Sequence, residues 1–186
     1  MNEKEKMING EFYNPLADEQ LVADREMAKY LCHKYNSYSP TCELERDVLI
    51  KEIFAKTGEK IWVEQNFFCD YGYNIEVGEN FYVNHNCVIL DCAKVTFGDN
   101  VFIGPNCGFY TPIHPLDVKT RNTMVERALP IKVGNNVWFG GNVTVLAGVT
   151  IADNAVIGAG SVVVKDIPAN VVAMGNPCKP VREIEQ

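Results

Sequence analysis

The chain has 186 residues, 47% of them hydrophobic and 22% charged, enough for one compact domain with a core and an appendage. Its formal net charge of −7 leaves no basic excess to neutralise phosphates, which argues against a nucleic-acid binder. No run approaches the ~18 apolar residues of a membrane span, and the opening MNEKEKMING lacks the apolar stretch of a signal peptide. Seven cysteines without a CxxC pair point to a reduced cytoplasm.

Taken in order, residues 16–36 are predicted helical, because Leu21, Ala28, Leu31 and Tyr35 fall on one face. Ser39-Pro40 then suits a second helix start, with a hydroxyl cap and proline in the first turn. Leu49, Ile50, Ile53 and Phe54 give that helix an apolar face, and Gly58 reads as its C-cap. Residues 1–60 are therefore expected to form a helical cap resting on the side or end of a β-rich domain built from residues 61–186.

That second part has a different period. Between 133 and 168 the text reads in sixes: VGNNVW, FGGNVT, VLAGVT, IADNAV, IGAGSV, VVKDIP. Val133, Phe139, Val145, Ile151, Ile157 and Val163 are bulky and apolar. Four places after each comes Val137, Val143, Val149, Ala155, Ser161 or Ile167. Neither a helix nor an ordinary strand has this period, whereas a coil of short flat faces does, so a parallel β-helix is expected. About eighteen residues would make one three-sided turn, with stacked turns pairing at ~4.8 Å. Cys87 and Cys107 fall at small inward positions. The sixes begin at Val77, Val83 and Ile89, slip by two, and resume at Phe97, Ile103 and Phe109.

The pattern fails through 110–130, which carries Thr111, His114, Asp117, Arg121, Asn122 and Glu126 with prolines at 112, 115 and 130. A loop of this length in a compact repeat tends to be functional. It has no core of its own, so it should lie against a neighbouring coil, most economically in another copy of the chain. That predicts a homo-oligomer, and a trimer suits a three-faced prism.

Chemistry has few carriers. His33 in the cap and His85 at an outward position read as surface or packing residues. His114, stiffened by flanking prolines, could serve as a general base or be structural. One histidine per region gives no metal-ligand spacing, so no metal is expected. No GxSxG elbow or Walker loop supports a serine hydrolase or a nucleotide-hydrolysing enzyme.

Several stretches carry a family resemblance: KEKMINGEFYNPLADEQL, CDYGYNIEVG, FYVNHNCVILD, HPLD, IKVGNNVWFGG and GAGSVVVKDIPANVVAMGNPCKPVR. Through them nearly the whole chain resembles the hexapeptide-repeat sugar O-acetyltransferases, in the maltose/galactoside branch. The resemblance implies a left-handed coil, a homotrimer with sites between protomers, and acetyl-CoA as co-substrate. By position, His114 matches the catalytic base and Gly141 the backbone N–H donor to the thioester oxyanion. Asp18, Asp70 and Asn84 match acceptor contacts. Ala159, Val164 and Lys165 match contacts to the pantetheine arm and phosphates, and Lys179 and Arg182 match the nucleotide end.

There are departures from that pattern. Cys92 stands where the galactoside branch has an acidic contact, which favours a maltose- or glucose-type acceptor. Lys179 stands for an arginine, and Pro112-Ile113 for small hydroxylated residues. No role is assigned to Asp91. The expected activity is acetyl transfer to a sugar hydroxyl. The alternatives are a non-sugar hydroxyl acceptor and a non-catalytic trimeric scaffold.

Overall fold

The period of six becomes three flat faces. In the computed structural model, which describes residues 1–185, short strands alternate with tight corners and stack into three sheets. Ile75–Val77, Val95–Phe97, Ile131–Val133 and Thr150–Ile151 form a four-stranded sheet. Ile61–Val63, Phe81–Val83, Phe102–Ile103, Trp138–Phe139, Val156–Ile157, Val171–Met174 and Lys179–Glu183 form a seven-stranded one, parallel except for the last strand. Phe67–Cys69, Cys87–Leu90, Gly108–Tyr110, Thr144–Leu146 and Val162–Val163 form a five-stranded one. The chain visits the four-, seven- and five-stranded faces in that order on every turn.

All the inward residues read from 133–168 are buried. Down the axis, Phe81, Phe97, Phe109 and Phe139 stack with ring centroids 5.1, 5.1 and 5.3 Å apart.

The corners explain why the coil is rich in asparagine. A corner residue must enter the left-handed backbone region, which asparagine tolerates better than other side-chain-bearing residues. Asn80, Asn100, Asn136, Asn154 and Asn170 do so with φ of 53–61°. Their amides form a ladder up the edge between the four- and seven-stranded faces, each bond 2.8–3.0 Å. Beside it runs a column of close backbone approach. A Cβ on Gly98 would lie 2.4 Å from Asn135 Oδ1 and 2.8 Å from the Gly134 carbonyl carbon. Gly58 is the first member of this column, donating its N–H to Val77 O, and is not a helix C-cap.

The ladder also records the stride. Partners lie 20 residues apart in the early turns, 18 later and 16 at the last, with 36 across the loop. The two-residue slip falls between Ile89 and Phe97, at the corner joining the five- to the four-stranded face. The loop leaves from the same edge one turn later.

The cap has three helices: α1 (Glu3–Ile8), α2 (Glu19–Ser37) and α3 (Glu43–Ile53). The short α1 has no apolar periodicity to announce it. Ser39-Pro40, expected to start α3, instead forms a turn. The helix begins after Cys42, which gives no side-chain cap bond. Ala28, Cys32, Tyr35, Leu49, Ile50, Ile53 and Phe54 continue the coil's core without a break. The cap also satisfies polar groups at the first turn. The Tyr35 hydroxyl donates to Val63 O, and Asn36 both donates to and accepts from the Phe67 backbone at 2.9 Å. At the other end, Lys179–Glu183 folds back on Val171–Met174.

Candidate active site

The three edges of the prism carry different chemistry. The edge between the four- and seven-stranded faces is consumed by its own ladder and by aspartates bonding the next corner, as in Asp99 Oδ1 accepting from Glu79 N. The edge from the seven- to the five-stranded face carries Asn84, Gly141 and Ala159. The edge from the five- to the four-stranded face carries Asp70, Asp91, Cys92, the loop with His114, and then Val164 and Lys165. The residues expected to meet thus occupy two edges, separated by the five-stranded face. In particular, Asn84 and His114 are not neighbours within one chain.

On the loop edge, Thr111 anchors the exit from the coil. Its buried hydroxyl donates to Leu90 O at 2.7 Å and accepts from Ala93 N at 3.0 Å. Pro112–Ile113 then pairs antiparallel with Arg127–Ala128, closing the loop at its base, and a short helix, α4 (Val118–Arg121), lies in the excursion. The base is held by the chain's own N-terminal segment, because Tyr13 and Glu126 exchange backbone hydrogen bonds of 2.8 and 2.9 Å. The outer part, with Leu116 and Val118, is exposed on the single chain.

This frame sets His114. Its Nδ1 lies 3.3 Å from Val125 O, and a carbonyl can only accept, so Nδ1 carries the proton and Nε2 is left as the basic nitrogen. Nε2 lies 3.7 Å from Glu126 Oε2. Glu126 Oε1 accepts from the Tyr13 hydroxyl at 2.5 Å and has Cys92 Sγ at 3.8 Å. The Cys92 thiol also reaches Asp70 Oδ2 at 3.4 Å. A line of polar groups therefore runs from Asp70 through Cys92 and Glu126 to His114.

Burial pushes the Asp70 carboxyl up, partly offset by the Cys92 contact and by Arg25 and Lys29. It also pushes the Cys92 thiol up, aided by the charges of Asp70 and Glu126, so this sulfur is a neutral thiol at pH 7. In the sequence Glu126 is only one polar loop residue among several. The fold brings it beside His114, Cys92 and Tyr13, positions too far apart in the chain for spacing to reveal.

Asp91 is structural. Fully buried, its Oδ1 accepts from Asp70 N and Tyr71 N at 3.0 and 2.8 Å, and its Oδ2 from Asn74 N at 3.3 Å. Burial pushes it up to about 6 against the pull of the Tyr71 and Asn74 N–H groups, with Asp70 adding to the rise.

On the other edge, Gly140 N donates to Ile157 O and Asn142 N to Pro105 O, while among the described residues the N–H of Gly141 between them has no acceptor. Asn84 differs from the corner asparagines. It does not adopt a left-handed φ, and its Oδ1 accepts from His85 N at 2.7 Å. Ala159 is exposed at the same corner three strands along from Asn84.

The remaining candidates lie elsewhere. Asp18 is the N-cap of α2, accepting from Gln20 N and Leu21 N, and from Lys4 N at the α1 side. Burial opposes these bonds, yet they hold its carboxyl below the ordinary range. Lys179 and Arg182 are exposed on the terminal strand. His33 is exposed on α2, and His85 contacts Gln65 O at a corner.

A coil of hexapeptides with an open backbone N–H on one edge and a basic imidazole on another defines a hexapeptide-repeat acyltransferase. The comparisons narrow that class. The maltose acetyltransferase hexapeptide capping motif matches residues 6–58, and the bacterial transferase hexapeptide, in six repeats, matches 130–165. Galactoside O-acetyltransferase of Escherichia coli (strain K12) is 45% identical over 180 residues, which cover 97% of this chain and 88% of the relative.

Among solved structures, a maltose O-acetyltransferase from Clostridium difficile 630 aligns with a TM-score of 0.98 at 49% identity, covering 100% of this chain and 99% of its own. A galactoside acetyltransferase in complex with coenzyme A gives 0.96 at 44%, covering 100% and 92%. Coils of opposite hand could not superpose so fully, so this one shares the left hand of these acetyltransferases. The chain belongs to the hexapeptide-repeat sugar O-acetyltransferase family, in the maltose/galactoside branch, and is an acetyltransferase.

Proposed function

We propose that this enzyme transfers the acetyl group of acetyl-CoA directly to a sugar hydroxyl of a maltose- or glucose-type acceptor, in sites formed between protomers of a homotrimer. The observation that carries this reading is the setting of His114, with Nδ1 3.3 Å from Val125 O, which can only accept, and Nε2 3.7 Å from the buried Glu126 carboxylate. In the proposed step, Nε2 takes the acceptor's O–H proton as that oxygen bonds to the thioester carbonyl carbon. The Gly141 N–H receives the oxyanion. As the tetrahedral centre collapses, the C–S bond breaks and the departing sulfur takes the proton from the imidazolium. No covalent enzyme intermediate is needed. A positioned base of this kind contributes roughly 10²–10⁴-fold.

The division of the candidates between two edges supports a shared site. Val164 and Lys165 lie on the His114 edge, and Gly141, Ala159 and Asn84 on the other. One acetyl-CoA can touch both sets if the Asn84 edge of one protomer abuts the His114 edge of the next. The seven-stranded face beside Asn84 suits that contact. Trp62, Tyr82, Phe102 and Trp138 pair in register up its outside, and Trp62, Phe102 and Trp138 are exposed. Asp70 and Asn84 are assigned to the acceptor from opposite protomers, whereas Asp18, spent on backbone caps, is assigned to holding α1 and α2 together. Lys179 and Arg182 supply charge for the nucleotide end. Seven unbonded cysteines fit a reducing cytoplasm.

Release of thiol from acetyl-CoA, measured with glucose, maltose, a galactoside and serine, tests the proposal. Turnover should be fastest with glucose or maltose. Preference for serine would move the acceptor to the amino-alcohol class. Donor binding with no turnover on any acceptor would leave a scaffold.

A further inference from the structure

Two of the seven thiols face each other across the joint between cap and coil. Cys32 on α2 and Cys69 at the end of the Phe67–Cys69 strand bring their Sγ atoms to 3.6 Å. The approach follows from how α2 is docked. One turn further along the helix, Asn36 grips the Phe67 backbone with two bonds of 2.9 Å. Gln65 Nε2 adds bonds of 2.9 Å to Tyr35 O and Tyr38 O. Four residues of helix rise ~6 Å, and two residues of strand rise about 6.6 Å. Fixing Asn36 against Phe67 therefore sets Cys32 against Cys69, with strand and helix running in opposite directions. Both side chains point inward and are buried.

Cysteine often fills a core as a small apolar residue, and Cys87 and Cys107 do so on successive turns. There, however, the Cys107 thiol turns to Gly140 O at 3.2 Å. Among the described residues only Cys32 and Cys69 join sulfur to sulfur. A disulfide is ~2.0 Å long, so from 3.6 Å each sulfur has about 0.8 Å to travel, within reach of side-chain rotation alone. The hydrogen bond from the Cys69 thiol holds Cys32 below the ordinary thiol range, against the effect of burial. Cys32 is thus the nucleophile of the pair and Cys69 its proton donor.

We propose that Cys32 and Cys69 are a dithiol that a small peroxide converts to a disulfide, stapling the helical cap to the first turn of the coil. The Cys32 sulfur attacks one peroxide oxygen, the O–O bond breaks, and the thiol proton leaves with the departing hydroxide as water. The Cys69 sulfur then attacks the resulting sulfenic acid. The S–OH bond breaks, and the second thiol proton leaves with that hydroxide as a second water. The two sulfurs give up two electrons, and the peroxide is reduced. Only a small oxidant fits this role, because Cys32 is 1% and Cys69 7% exposed. The bond closes a loop spanning 37 residues that contains α3 and most of the second half of α2, so it restricts the unfolded chain. Asp70 follows Cys69 directly, but its backbone N–H is held by Asp91 at 3.0 Å. The staple therefore leaves the site in place, and the inference is independent of which acceptor the enzyme uses.

The test treats the full-length, reduced enzyme with hydrogen peroxide, alkylates the remaining thiols after denaturation, and maps the peptides by mass spectrometry. The Cys32 and Cys69 peptides should be linked, with the other five cysteines alkylated. The oxidised enzyme should melt roughly 5–10 °C higher than the reduced one, and dithiothreitol should reverse the shift. Thiol release from acetyl-CoA should stay within about twofold. Cys32→Ala and Cys69→Ala should each abolish the shift; if neither folds, the wild-type peptide map and melting curves decide the matter.

A link between other cysteines, or over-oxidation of Cys32 with no link to Cys69, would overturn the inference. So would a linked protein that melts no higher, or one that loses more than tenfold of its turnover, since the staple would then be distorting the fold it is said to hold.

Discussion

His114 and Asp91 show how differently two polar residues on one edge can behave. His114 is half exposed and has one fixed nitrogen and one open one. Replacing it by alanine should remove roughly 10²–10⁴-fold of turnover while coenzyme A affinity, measured by calorimetry, stays as it was. Asp91 is sealed in and holds a corner through three backbone N–H groups. Its carboxyl sits at about 6, against an ordinary 3.8, because burial outweighs those donors. Between these values the native state binds more protons than the unfolded chain, so its contribution to stability falls as pH rises through that window. Asp91→Ala should therefore cost about 2 kcal/mol in urea unfolding near pH 5 and less near pH 7. A cost that grew with pH would mean that the N–H groups dominate. Sequence marks His114 as unusual because prolines flank it. Nothing local separates Asp91 as structural from Asp70, since the difference lies in depth of burial.

At the level of elements, the coil is legible in the sequence and the cap's boundaries are not. A period of six is written directly into residue size, because every face must send one large and one small side chain inward. The corner asparagines follow from backbone handedness. The start of α3 is displaced from its expected place because Ser39 and Pro40, locally ideal for a helix start, serve the turn before it. Gly58 looks like a C-cap only because its column partners Gly78, Gly98 and Gly134 are distant in the chain.

Two corner asparagines give a paired prediction. Asn136, at φ 57° with an amide bond to each neighbour in the ladder, should cost about 2 kcal/mol when changed to alanine and leave turnover intact. Asn84→Ala, at a position whose own φ is not left-handed, should cost little stability and cut acceptor turnover severely. Urea unfolding and thiol release on the same two variants would separate the roles. Equal behaviour would remove the distinction between the edges.

For the whole molecule, the least legible property is which residues meet. His114 and Asn84 look like partners in a linear reading, and the prism sets them on different edges. Only assembly can join those edges, so function on this account belongs to the trimer rather than to the chain. The direct test is to co-refold His114→Ala protomers with Asn84→Ala protomers, each nearly inactive alone. Where the His114 edge of one variant meets the Asn84 edge of the other, a complete site forms. In an equal mixture of randomly assembled trimers this should restore about a quarter of wild-type activity. If both residues act from the same chain, every site in the mixture carries one defect; activity no higher than that of the separate variants would contradict the shared site.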